Sequence, residues 1–305
     1  MLVMTMNFPS GLYTVIVTPF IECKETGKTV VDYESLCTLL TKQIDEGVRN
    51  FVTLGTTSEA PTLNKCEKEI IASYIYQFFS SRDESLFLVA GVNGNCTEMV
   101  LSDMNKLERY CDGFMVTVPH YNKPPQRCLY SHFKDVAENT KKPVMVYNVP
   151  GRTAKNISID TVKKLADINN IKAIKEASGD LDQVADLCAQ LTDDFYIYSG
   201  DDNLILPVLS VGGHGVVSVA SHLVGDKIKE MINLFKIGEI SKAIELNKSL
   251  LPIFKSMFIK TNPIPVKESL NIIGMDVGNT RSPLISLADD EKEELKNVFE
   301  ENNII

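Results

Sequence analysis

The chain has 305 residues, 44% of them hydrophobic and 23% charged, a composition that supports a large globular core without disulfides or a structural metal. Its formal charge of −9 argues against binding to nucleic acids and anionic membrane surfaces, which require a basic footprint. Seven scattered cysteines, an odd number with no CxxC or zinc-type spacing, argue against a disulfide framework or a metal cluster and predict reduced thiols in a cytoplasmic protein.

The first twenty residues are apolar, but they lack a basic n-region and are broken by Pro9, Ser10 and Gly11. They predict a ragged N-terminus leading into a buried strand rather than a leader peptide. No later window reaches the roughly 18 uncharged apolar residues of a membrane span. From there short apolar runs alternate with stretches of helical period. The runs are Tyr13–Val17, Phe51–Leu54, Leu86–Ala90, Gly113–Val118, Val144–Tyr147, Ile171–Lys175, Phe195–Tyr198 and Gly215–Val219. Helices are predicted between them over Tyr33–Gly47, Asn64–Ser80, Thr97–Tyr110, Gln126–Thr140, Ser158–Ala166, Asp182–Leu191 and Asn203–Val211, with Gly47 and Gly212 at C-cap positions. Eight such runs predict an α/β protein, a (β/α)8 TIM barrel spanning residues 1–224. Residues 225–305 are too long for one closing helix. They predict a C-terminal helical extension with helices over Gly225–Ile237, Glu239–Phe254, Val266–Ile273 and Asp289–Phe299, and no Gly/Ser linker separates it.

Chemistry in such a barrel sits at the C-terminal ends of the strands. The sixth run ends in IKAIKE; alternation places Ile171, Ala173 and Lys175 on one face, and turning that face inward brings the Lys175 amine to the mouth. A lysine there loses solvation, and its neutral amine can attack a ketone. The alternative on position alone is a lysine that snorkels to solvent or pairs with Glu176. The fifth run continues into YNVPGRT: Tyr147 could move protons and Arg152 could grip a carboxylate, although a rim aromatic and a surface arginine are the plainer readings. The loop GTTSEAPT offers the hydroxyls of Thr56 and Thr57 and backbone N–H groups, or is an ordinary capping loop. PHYNKPP supplies His120 and Tyr121. Gly200-Asp201-Asp202 reads as a turn plus helix N-cap, and Gly212-Gly213-His214-Gly215 as a tight turn at the opposite end of the barrel. Four histidines without an HxH or HxxxH pair give a metal-dependent aldolase few ligands.

The strings TVIVTPF, GTTSEAPTL, AGVNGN, DGFMVTVPHYNKPPQ, PVMVYNVPGRT, IKEASGDL, YSGDDNLILP, GGHGVVSV and TNPIPVK run nearly end to end through the chain. On them the chain resembles the dihydrodipicolinate synthase family, within the N-acetylneuraminate lyase superfamily. The resemblance implies a Schiff-base lyase that condenses pyruvate with L-aspartate 4-semialdehyde in lysine and diaminopimelate biosynthesis, with no cofactor and no metal. It implies that Lys175 forms the imine and that Tyr147 donates and accepts protons, linked through Thr56 to Tyr121 of a neighbouring subunit. Thr57 and the backbone at Val217 would hold the pyruvate, and Arg152 the carboxylate of the semialdehyde. A homotetramer, a dimer of dimers, is implied. The competing readings are a related aldolase acting on a sugar acid, against which the RT ending of YNVPGRT argues, and a non-catalytic barrel that binds a small acid. Ser58 stands where the family usually has Gly. His120, Lys68 and Met99 depart from the pattern of lysine-inhibited members while Asn95 matches it, so weak or absent lysine inhibition is expected.

Overall fold

The computed structural model describes residues 7–82 and 85–305; most of the ragged stretch expected ahead of the first strand, residues 1–6, lies outside the described residues. The chain opens with β1 (Gly11–Val15), an antiparallel hairpin of β2 (Phe20–Glu22) and β3 (Thr29–Val31), α1 (Tyr33–Asp45), β4 (Asn50–Thr53) and α2 (Lys65–Ser80). It continues through β5 (Phe87–Val92), α3 (Thr97–Leu107), β6 (Gly113–Thr117), α4 (Gln126–Glu138), β7 (Val144–Asn148), α5 (Pro150–Thr153) and α6 (Ile159–Ala166). Then come β8 (Ile171–Glu176), α7 (Leu181–Gln190), β9 (Tyr196–Ser199), α8 (Ile205–Ser210), β10 (Gly215–Ser218), α9 (Ser221–Lys236), α10 (Ile240–Ser256), α11 (Ile264–Ile272) and α12 (Asp289–Glu301). Strands β1 and β4 to β10 are all parallel and close into a barrel, with β10 returning to β1. Each of the eight apolar runs thus forms a barrel strand, and the protein is a (β/α)8 barrel with additional C-terminal helices.

Local chemistry explains where the helices begin. Asp32 accepts from the N–H groups of Glu34 and Ser35 at the start of α1, Asn64 and Glu67 form a reciprocal capping box on α2, and Ser158 and Asp180 cap α6 and α7. Gly47, at φ +85, and Gly212, at φ +105, take the left-handed conformation just past α1 and α8, as helix C′ positions require. Strand β1 starts two residues before the predicted run. Gly11 lies opposite Gly215, and a Cβ on Gly215 would fall 1.9 Å from the Gly11 carbonyl oxygen, so β10 passes β1 this closely only as bare backbone at Gly215.

Both faces of the strands are buried, which gives two apolar layers. The outer layer lies between barrel and helices. The inner one fills the barrel with Phe8, Tyr13, Val52, Phe87, Met115, Met145, Ala173, Tyr198 and Val217 among others. One expectation about facing fails: Ala173 and Lys175 point inward, but Ile171 packs in the outer layer. The pairing of β7 with β8 skips a residue there, Val144 facing Ile171 and Met145 facing Ala173, and one inserted residue reverses the face of everything before it. Helix α9 follows β10 directly, packs on β1 and runs through position 224, where the backbone of Val224 leaves helical geometry (φ −133, ψ 33). Among the described residues no helix is long and apolar enough to cross a membrane.

Candidate active site at the mouth of the barrel

At the C-terminal ends of the strands Thr56, Thr57, Tyr147, Arg152 and Lys175 line one cavity of about 70 Å³. That is several times the roughly 10–15 Å³ a single water needs, and of a size for a small organic acid. Pairing of β7 with β8 sets Tyr147 beside Lys175 in register, and the Lys175 Nζ lies 4.4 Å from the centre of the Tyr147 ring. Neither alternative for Lys175 holds: it is 5% exposed, so it does not snorkel. Its neighbour Glu176 points to the other face, where it accepts from the Asn148 Nδ2 (2.9 and 3.0 Å), the Ser178 N–H (2.8 Å) and the Gln183 Nε2 (2.9 Å).

Burial is the main electrostatic force on these groups. It pushes the Lys175 amine down to about 8, against the pull of the Asp201 and Asp202 carboxylates, which act through space. It pushes the Tyr147 phenol up to about 12, with the Arg152 guanidinium and the Thr56 hydroxyl working the other way. At neutral pH the phenol therefore carries its proton, while an appreciable part of the amine is free of one. A neutral amine, a protonated phenol and a guanidinium around one small cavity can form and protonate a carbinolamine on a 2-oxo acid.

The carboxylate side of such an acid has a place in the loop after β4. The Asn262 Nδ2 donates to the Thr57 hydroxyl (2.9 Å), and the Arg152 Nη2 donates to the Asn262 carbonyl (3.3 Å). The N–H groups of Thr56, Thr57 and Ser58 have no acceptor among the described residues. The Ser58 hydroxyl donates to the Ile16 carbonyl (2.6 Å) and its own carbonyl accepts from Thr18 (2.7 Å), which fastens the loop to the end of β1.

Two expected residues stand apart from the cavity. Tyr121, at φ +67 in the loop after β6, is 85% exposed and has no place in the cavity of its own chain. Val217 is buried in the inner barrel layer, and Val219 lines the cavity instead. Asp201, which the sequence reads as part of a turn and cap, also lines the cavity, as do Asn262 and Phe258, to which the sequence assigns no role. Asp201 sits at the N-cap position of a short 3₁₀ turn but makes no capping bond. Asp202 accepts from the N–H groups of Val219 (3.1 Å) and Ala220 (2.9 Å), so neither aspartate is the helix cap that Gly200-Asp201-Asp202 predicts. Among the described residues no group of three or more His, Cys, Asp or Glu is placed to hold a metal ion.

The model of the dihydrodipicolinate synthetase family matches residues 8–302. The 4-hydroxy-tetrahydrodipicolinate synthase of Prochlorococcus marinus (strain AS9601) is 45% identical over 286 residues, 93% of each chain. The dihydrodipicolinate synthase of Thermotoga maritima superposes with a TM-score of 0.92 at 35% identity, covering 97% of this chain and 99% of that one. That of Acinetobacter baumannii, solved in complex with pyruvate, gives a TM-score of 0.91 at 32% identity over 98% of this chain and 100% of that one. A family match spanning nearly the whole sequence, over the same barrel, shows that this chain belongs to the dihydrodipicolinate synthetase family.

Proposed function

We propose that the protein is a 4-hydroxy-tetrahydrodipicolinate synthase, a lyase of lysine and diaminopimelate biosynthesis that joins pyruvate to L-aspartate 4-semialdehyde. The observation that carries this is the buried Lys175 amine, lowered to about 8, beside Tyr147 and facing a small cavity. Lys175 attacks C2 of pyruvate, the carbinolamine loses water to give the imine, and a proton leaves C3 to give the enamine. The enamine adds to the aldehyde carbon of the semialdehyde. Attack by that substrate's amine on the imine carbon then closes the ring and releases Lys175. Tyr147, with Thr56 next to it, carries the protons; Thr57 holds the pyruvate, with Val219 rather than Val217 at the cavity wall, and Arg152 holds the carboxylate of the second substrate. No metal or cofactor takes part.

Tyr121 belongs to this relay through a neighbouring copy of the chain. A tyrosine left 85% exposed at a strained backbone position supports that reading, and with it a homotetramer built as a dimer of dimers. A cytoplasmic location fits seven cysteines that are all free. The division into a barrel of residues 1–224 and an extension of 225–305 is supported by the backbone break at Val224. Weak or absent lysine inhibition fits Lys68 paired with Asp103 (3.4 Å), Met99 at 58% exposure, and His120 in the loop that carries Tyr121. The competing reading is a sugar-acid aldolase. Turnover of pyruvate with L-aspartate 4-semialdehyde, compared with cleavage of N-acetylneuraminate and 2-keto-3-deoxygluconate, separates them. Activity confined to the sugar acids would overturn the synthase assignment.

A further inference from the structure

The loop carrying Thr56 and Thr57 is bracketed by two non-glycine residues in the left-handed region, Leu54 at φ +57 and Glu59 at φ +55. Such residues cost about 1–3 kcal/mol each and persist only where their surroundings dictate them. For Glu59 the surroundings are the C-terminal extension. One carboxylate oxygen accepts from the Lys267 Nζ of α11 (2.8 Å) and the other from the Arg281 backbone N–H (2.8 Å). The Lys267 side chain is 2% exposed and that of Glu59 1%. Lys267 also donates to the Asn279 carbonyl (3.0 Å) and lies 4.1 Å over the Phe20 ring, against which Arg281 packs at 4.2 Å. The Arg281 guanidinium in turn grips Glu67 at the start of α2 (2.7 and 3.0 Å). Just ahead of α11, Asn262 donates to the Thr57 hydroxyl (2.9 Å). One short stretch of the extension therefore holds the loop from the cavity side at Thr57 and from behind at Glu59, two positions further on.

Anchorage alone does not call for charge. An apolar pair of similar volume would hold the extension at least as well, because the desolvation of two buried ions offsets most of their attraction. What an ion pair adds is direction, through hydrogen bonds that fix where the loop backbone runs. Resting on the imine-forming reading above, we propose that Glu59 and Lys267 are positioning residues, a buried pair by which the C-terminal extension sets the Thr56–Thr57 loop to receive the carboxylate of the 2-oxo acid. The pair touches no substrate and acts through Thr57 and the loop N–H groups.

The test compares the wild type with Lys267→Met, Glu59→Gln and the double variant, well below their melting temperatures. The readout is the pyruvate concentration that gives half-maximal borohydride-trapped adduct on Lys175, together with KM for each substrate. Half-saturation should rise about ten- to a hundredfold in Lys267→Met and in the double variant. The adduct at saturating pyruvate and the KM for the aldehyde should stay near wild type. The double variant leaves no buried charge unpaired, and it carries the test where a single variant fails to fold. Folded variants with wild-type half-saturation would overturn the proposal and reduce the pair to a structural anchor. No adduct on the wild type would bring down the imine reading and this inference with it, whereas a wild-type adduct with unshifted variants would bring down this inference alone.

Discussion

Among the described residues two lysines are buried, and burial lowers both to about 8. Lys267, in the extension, is enclosed: a carboxylate at 2.8 Å, a backbone carbonyl at 3.0 Å and the Phe20 ring take up its amine. Lys175, at the mouth, lies against the face of Tyr147 and opens on a cavity of about 70 Å³, with Asp201 and Asp202 felt through space. A depressed lysine alone is therefore no sign of a nucleophile. The nucleophile is the one whose lone pair is unclaimed and which has somewhere for an electrophile to sit.

The sharpest way to break this comparison is to remove each amine. Lys175→Met should lose all borohydride trapping and yet gain up to about 3 kcal/mol of stability at neutral pH. Its folded pKa lies below the unfolded value of 10.5, so the folded state bears the cost of a buried charge below pH 8 and is relieved of it as pH rises toward 10.5. Lys267→Met should instead lose about 3–5 kcal/mol, because it strands the Glu59 carboxylate. Denaturant titration of both variants checks the opposite signs, and a loss in both would end the distinction. Next in size is Tyr147→Phe, which removes the proton carrier and should cut turnover about 10²–10⁴-fold while leaving the fold intact. Unchanged turnover would remove Tyr147 from the chemistry. The rate of imine trapping should rise about tenfold from pH 6 to 7 and flatten above pH 8, since only the neutral amine attacks. A rate level from pH 6 to 9 would contradict the depressed amine. The smallest effect is expected at the far end of the barrel, where Tyr13 packs edge-on against Tyr198 at 5.3 Å and its hydroxyl makes no well-formed hydrogen bond. Tyr13→Phe should leave activity unchanged and shift stability by less than about 1 kcal/mol. A large loss there would mean that buried hydroxyls in this barrel act beyond packing.

The two regions also differ in how far the sequence discloses them. Lys175, Tyr147, Arg152 and the two threonines stand at strand ends or in the loops that follow, where alternation and the barrel rule fix their place from a few neighbouring residues. The cavity brings all five together. The extension works through long-range contacts: Asn262 and Thr57 meet across 205 positions, Lys267 and Glu59 across 208, and no local period announces either meeting. The string TNPIPVK marked the segment without saying where it would land. Asp201 was hidden for a related reason, since an aspartate after a strand reads as a cap until the cavity beside it is seen. Ile171 shows the limit of alternation itself, because one skipped residue in the ladder turned it outward while Lys175 stayed inward.

The measurement that tests the central claim most directly is reduction of the protein with borohydride in the presence of pyruvate, followed by mass spectrometry of its peptides. The mass gain should fall on the peptide containing Lys175 and on no other, Lys267 included. A gain on a different lysine, or none, would contradict the account.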